Sequence, residues 1–367
     1  MTGPSPAYVA LALVPGIGHR RLRSLLSRFP DAAAVLAATQ AELEDVPGVS
    51  RAGATAVLGA DPAKAERLLA RTRELGGVVL APDDQGFPPV LRDIPDPPTL
   101  LFAAGRLDLG QEPAIAIVGS RTHTRYGADV CRHLAGGAAR AGLTVVSGMA
   151  RGIDALAHSA ALDAGGGTVG ILGNGLGVIY PSANRALYER VQASGLFLTE
   201  FPPGERPNAG SFQRRNRLIS GLARVTLVIE AREKSGALIT VDCALAQGRE
   251  VLAVPGPITS PPSVGCNRLI QSGAKPVLGL RDVLEEYGVG LPSAPSPAAV
   301  AHLTETERAA LEVLRAEPRH ADEIADALRL STPDMLAALT ALEIQGFVAA
   351  LPGKRFMLAS GQLSPTS

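Results

Sequence analysis

Between residues 113 and 287 the sequence repeats one alternation, a short unbroken apolar run followed by a longer stretch of helical character. The runs are AIAIVG (114–119), TVVSG (144–148), TVGILG (168–173), LFLTEF (196–201), VTLVIEA (225–231) and EVLAVPG (250–256). None has the in–out alternation of a strand with one wet face, so both faces must be covered. Segments such as YGADVCRHLAGGAARAG and DALAHSAALDAG lie between the runs and supply that cover. The order predicts an α/β fold with a doubly wound parallel sheet, whose ligands bind at loops leaving the carboxyl ends of the strands.

The flanks read differently. Near the amino end, LVPGIGHRRLRSLLSRF (13–29) and LEDVPGVSRAGATAVL (43–58) each pair a Pro-Gly turn with a following helix. They look like two helix-hairpin-helix motifs in a SAM-like helical domain over residues 1–76, with His19, Arg20, Arg21 and Arg23 favouring DNA contact by the first. Residues 77–102 alternate apolar runs with prolines and read as short strands and turns leading into the sheet domain, 77–288. A Pro/Ser/Ala linker spans 289–300. The segment 301–360 reads as a winged helix: a capped helix beginning at Thr304/Glu307, ADEIADAL, a helix from Thr332 to Gln345, and FVAALPGKRFML as a two-stranded wing. The second of the long helices has no basic residue, so a protein contact is expected of it before a DNA contact, with Lys354-Arg355 the cationic feature of the wing.

Charge divides along the same lines. Lys+Arg and Asp+Glu number 35 each over 367 residues, yet residues 106–287 carry 19 basic against 15 acidic groups, and residues 288–367 carry 6 against 9. An anionic partner therefore belongs to the middle of the chain. Aromatics are only 4% and Trp is absent, which excludes a groove paved with base-stacking rings. The cysteines, Cys131, Cys243 and Cys266, form no CxxC pair, so no metal or disulfide framework is expected and buried, reduced thiols are. No signal peptide or membrane-spanning run is seen, and a cytoplasmic location without membrane insertion fits.

Five loops of the middle segment gather at one sheet edge. They are Gly119-Ser120-Arg121; Gly148 to Arg151; Asn174-Gly175 with the following Tyr180, Asn184 and Arg185; Phe212 to Arg217; and Ser235-Gly236 opening a helix. Glycines admit a phosphate to the backbone, guanidinium groups fork onto it, and a helix N-terminus attracts it. Residues 206–224 contain no Asp or Glu, so Arg214, Arg215 and Arg217 have no local counter-ion and are expected to serve a polyanion around Asn216.

A catalytic set is not legible. Gly173-Asn174-Gly175-Leu176-Gly177 leads into Val-Ile-Tyr-Pro and lacks the GxGxxG spacing of a dinucleotide site, no P-loop occurs, and no cofactor is implied. Asp154 and His158 share a helical face, but the expectation is that Asp154 orients the glycine-rich turn while His158 packs, hydrogen-bonded to it.

The motifs FPPVLRDIPDPPTLLFAAG, IVGSR, SGMARGIDALAH, GNGLGVIYPSAN, FQRRNRLISGLA, VIEAREKSGALIT and AVPG, in this order, resemble the DNA-processing protein A (DprA/Smf) family from about Gly77 to Tyr287. The resemblance implies an extended Rossmann domain that binds single-stranded DNA without catalytic turnover. It also implies protection of incoming strands in natural transformation, help in loading RecA onto strands coated by single-strand-binding protein, and a homodimer. By motif match Arg121, the Asn174/Gly175 loop, Arg214, Asn216 and Arg217 line the pocket. Many members have Tyr-Pro-Lys where this chain has Tyr180-Pro181-Ser182, and Arg185 is expected to replace the lysine. The alternative is a nucleotide-processing enzyme like the lysine-decarboxylase-like phosphoribohydrolases, whose PGGxGTxxE loop corresponds to Glu230–Thr240 here, without the double glycine or the following acid.

Overall fold

Each of the six apolar runs forms a strand, and three further strands extend the sheet they make. In the computed structural model, which describes residues 3–288, 303–314, 319–344, 347–351 and 354–358, the strands are β1 (Gly77–Leu80), β2 (Leu101–Gly105), β3 (Ala114–Val118), β4 (Thr144–Ser147), β5 (Thr168–Ile171), β6 (Leu196–Thr199), β7 (Val225–Val228), β8 (Glu250–Ala253) and β9 (Lys275–Pro276). Their order is β1-β2-β6-β5-β4-β3-β7-β8-β9. From β6 to β9 all pairings are parallel, whereas β2 runs antiparallel to both β1 and β6. The parallel reading thus holds for the runs that suggested it, and the proline-rich bridge adds the antiparallel edge.

Six helices precede the sheet: α1 (Pro6–Ala12), α2 (His19–Arg28), α3 (Ala32–Ala37), α4 (Gln40–Glu44), α5 (Arg51–Leu58) and α6 (Pro62–Glu74). Two turns join α1 to α2 and α4 to α5, and each holds its glycine, Gly16 or Gly48, at positive φ, 81° and 86°. The helices pack straight onto the sheet. Val9, Leu11, Leu25 and Val57 share one core with Phe102, Leu176 and Phe197, and the Tyr8 hydroxyl donates to the Thr99 carbonyl at 3.1 Å. Residues Met1–Val289 accordingly form one compact unit.

The crossover helices are α7 (Arg125–Arg140), α8 (Ile153–Asp163), α9 (Arg185–Ser194), α10 (Ala209–Gly221), α11 (Gly236–Ala246), α12 (Val264–Gln271) and α13 (Leu280–Glu285). Cys131 and Cys266 are buried, and burial pushes both thiols up to about 12; Cys243 is partly exposed, and all three are free. No helix among the described residues is long and apolar enough to cross a membrane.

The second unit, Gly290–Ser367, contains α14 (Glu305–Val313), α15 (Ala321–Leu328), α16 (Thr332–Ile344) and a three-stranded sheet. Its strands β10 (Arg319–His320), β11 (Val348–Leu351) and β12 (Arg355–Leu358) are ordered β10-β12-β11, the winged-helix pattern. Thr304 and Glu307 make the expected capping box. The 289–300 linker, the end of the last helix at Gln345 and the wing tip Pro352-Gly353 lie outside the described residues.

Candidate nucleic-acid interface

The chain runs outward from β3 through β4, β5 and β6, then returns to the other side of β3 as β7. Loops that follow β3 and β7 therefore diverge and open a crevice between them, the position where doubly wound sheets take ligands. A cleft of about 680 Å³ lies there. Its wall on the β3 side is Gly119, Ser120 and Arg121; its far wall is Arg232, Lys234, Ser235 and Gly236 at the start of α11; α10 contributes Phe212, Gln213, Arg215 and Asn216. A narrow extension of about 60 Å³ continues past Arg121, Gly148, Arg151, Asn174, Tyr180 and Phe212. Arg121, Arg215, Arg232 and Lys234 line the main cleft against one acidic residue, Asp154.

Local sequence builds each wall. Ser120 folds its hydroxyl onto Thr122, donating to the carbonyl at 2.8 Å and accepting the N–H at 3.1 Å, which turns the chain so that Arg121 projects. The Arg121 guanidinium lies 5.8 Å from the Phe212 ring centre, and Phe212 meets Tyr180 at 5.4 Å, with Tyr180 46% exposed. Cation and rings thus share a surface on which a base can stack. Asn208 caps α10 and exchanges hydrogen bonds with Ser211. Ser235 caps α11 by accepting the Ala237 N–H at 3.3 Å, so the positive end of that helix opens on the cleft.

The deepest cation is Arg215, which the charge pattern included and the motif match left out. Arg215 is 4% exposed, and its Nη1 occupies the space where a β-carbon on residue 148 would stand, 1.6 Å from that position. Gly148 is a glycine because a guanidinium passes there, and no local sequence signal announces it. Asp154 lies beneath, accepting the N–H groups of Gly148 and Ala150 at 3.2 and 3.3 Å, as expected of the residue that orients this turn. Burial raises the Asp154 carboxyl, opposed by Arg215, while burial lowers the Arg215 guanidinium, opposed by Asp154. His158 does pack, but against Thr168 and not Asp154: its Nδ1 meets the hydroxyl at 2.7 Å. Burial and then the charge of Arg215 depress the imidazole to about 3.

Several expected contact residues face elsewhere. Arg214 and Arg217 project to the opposite side of α10, into a different cavity that also takes in the first hairpin turn. Their counter-ions come from distant segments: Arg217 bonds Glu200 at 2.7 Å and Asp96 at 2.9 Å, and Arg214 reaches Glu200 at 3.5 Å. The absence of acids in 206–224 was a local fact that the tertiary fold overrides. Arg21 is likewise held within its hairpin, donating to the Gly16 carbonyl at 2.6 Å. Asn174 is buried and donates to the carbonyls of Gly175 and Val178, and Gly175 abuts Pro202, whose carbonyl stands 1.8 Å from where a β-carbon would be. Asn184 ties down the carbonyls of Met149 and Ala150 at 2.9 and 3.1 Å. These three shape loops. Arg185 opens α9, exposed, and is not among the residues that line either part of the cleft.

Glu230, near the carboxyl end of β7, accepts the Thr124 N–H at 2.9 Å and also its hydroxyl. It fastens the start of α7 and does not line the cleft.

Comparison with known proteins agrees with this architecture. Residues 78–288 match the model for DNA recombination-mediator protein A, residues 294–354 the DprA winged helix domain, and residues 9–60 a SAM-like helix-hairpin-helix tandem. The chain is 33% identical to protein Smf of Synechocystis over 97% of this chain and 99% of that one. A crystal structure of DNA processing protein A from Streptococcus pneumoniae, 34% identical, superposes with a TM-score of 0.68 over 78% of this chain and 99% of its own. The same protein from Helicobacter pylori, whose structure concerns its single-stranded DNA binding mode, is 28% identical with a TM-score of 0.52, over 57% of this chain and 95% of its own. With its sheet, helical hairpins and wing all matched in order, the chain belongs to the DNA recombination-mediator protein A (DprA/Smf) family.

Proposed function

We propose that the chain binds single-stranded DNA in the cleft between the β3 and β7 loops and acts as a recombination mediator in natural transformation. In this role it protects the incoming strand and helps to load RecA, working as a homodimer in the cytoplasm on strands that single-strand-binding protein also covers. The observation that carries the reading is the lining of the cleft: four basic side chains and a helix N-terminus beside the Phe212–Tyr180 ring pair. Phosphates meet Arg121, Lys234, Ser235 and Gly236, bases meet the rings, and Asn216 and Arg151 extend the contact on either side. Arg214 and Arg217 act indirectly, by holding α10 in place.

Binding without chemistry fits the carboxylates. Asp154, the acid that lines the cleft, is held by two backbone N–H groups, and Glu230 holds Thr124, so neither stands ready as a general base. Incubation with nucleoside monophosphates is expected to release no free base, and release would restore the hydrolase reading.

Fluorescence anisotropy with single- and double-stranded oligonucleotides across a salt series tests the binding. Three or four neutralised phosphates give a log–log slope of roughly −2 to −3, and single strands bind more tightly than duplex. Equal affinity for duplex would overturn the proposal.

A further inference from the structure

Arg215 has more donors than the fold uses. Its side chain is almost wholly buried, yet its Nε and Nη1 have no hydrogen-bond partner, and it lines the floor of the cleft. An unpaired buried guanidinium is costly to leave unmatched, and a forked donor matches phosphate oxygens. Asp154 compensates its charge through space but its hydrogen bonds go to Gly148 and Ala150. Lining the same cleft is the first turn of α11, where the Leu238 N–H donates to the Ser235 carbonyl at 3.0 Å and the Gly236 N–H is left without a partner. Ser235 satisfies that of Ala237, and a β-carbon at Gly236 would meet nothing within 4 Å, so there is open room beside this helix end.

We propose that Arg215 and the start of α11 form a seat for a phosphate monoester: the terminal phosphate of a DNA strand, or a free nucleoside monophosphate. This rests on the reading of the cleft as the DNA site and adds a selectivity to it. A monoester has up to two charges and three free oxygens, whereas a phosphodiester has one charge and two, with a sugar on each side. A deep seat that joins a buried fork, Lys234, Arg121 and a helix dipole rewards the second charge. The larger cavity under the first hairpin offers no rival seat, because Asp61, Asp96, Glu200 and Glu205 there outnumber Lys64, Arg214 and Arg217.

The test uses the full chain and one internally labelled oligothymidylate in three forms: unphosphorylated, 5′-phosphorylated and 3′-phosphorylated. Thymidine monophosphate and thymidine serve as competitors. One terminal phosphate is expected to tighten binding about tenfold or more at physiological salt. Competition by the monophosphate but not the nucleoside identifies free nucleotide as a ligand of the same seat. The preference is expected to vanish in Gly236→Asp, where an acid favours the helix end but repels phosphate, with an unchanged melting temperature. Arg215→Lys, which keeps charge without the fork, is expected to reduce it. If the three oligonucleotides bind equally and the monophosphate does not compete, the monoester seat is excluded while the single-strand reading stands. If none of them binds, it is that reading which fails.

Discussion

At the scale of single residues, the contact between Gly148 and Arg215 decides the most. A methyl group at 148 would overlap Nη1 of the almost wholly buried Arg215 guanidinium, so Arg215 must leave its place. Gly148→Ala is expected to lower stability by about 1–3 kcal/mol, as overpacking does, and to weaken single-strand binding as well. Urea denaturation and anisotropy on the same variant check both. His158 offers a pH prediction. Its pKa falls from 6.5 in the unfolded chain to about 3 when buried, so below pH 6.5 the unfolded state takes up the proton first. Its contribution to stability is present above 6.5 and is lost progressively as pH drops toward 3. The urea midpoint of His158→Gln is expected to depend less steeply on pH between 6.5 and 4 than that of the parent; equal slopes would assign the acid sensitivity to other groups.

Among the elements, α10 best separates what the sequence discloses from what it does not. The run Phe212 to Arg217 is plainly a cation-rich helix in one dimension, and the strands around it were legible because apolar continuity needs no tertiary information. Which arginine faces which way was not. Successive helical residues point about 100° apart, and the partners that sort them, Glu200, Asp96, Gly148 and Asp154, arrive from other parts of the chain. Asn174 and Asn184 bond backbone carbonyls for a related reason, since a polar side chain in a loop can serve the backbone nearby as readily as a ligand. The two faces of α10 give opposite expectations. Phe212→Ala removes a stacking ring and is expected to cost about 1–3 kcal/mol of single-strand affinity with the fold intact. Arg217→Ala leaves the buried Glu200 with only the partly exposed Arg214 and is expected to cost roughly 3 kcal/mol of stability. If instead Arg217→Ala melts like the parent and loses binding, the assignment of faces is inverted.

For the molecule as a whole, the boundaries read from sequence are of two kinds. A chain ended after Gly288 keeps every strand of the large sheet and is expected to fold, with its melting temperature and slope of binding against salt measuring what the winged unit adds. A chain begun at Gly77 is expected not to fold stably, because it strips Val9, Leu11, Leu25 and Val57 from a core they share with Phe102 and Phe197, exposing apolar surface worth roughly 1.5–3 kcal/mol per side chain. Circular dichroism and analytical gel filtration of the two truncations distinguish these outcomes. The change of pattern near residue 76 is therefore a seam without a hinge. Hairpins and cleft are bolted to the same sheet, as two jaws are to one calliper frame. Whatever the exposed Arg20 and Arg23 grip is held at a set distance from whatever occupies the cleft, so the spacing between two contacts along one nucleic acid is a length the fold itself measures out.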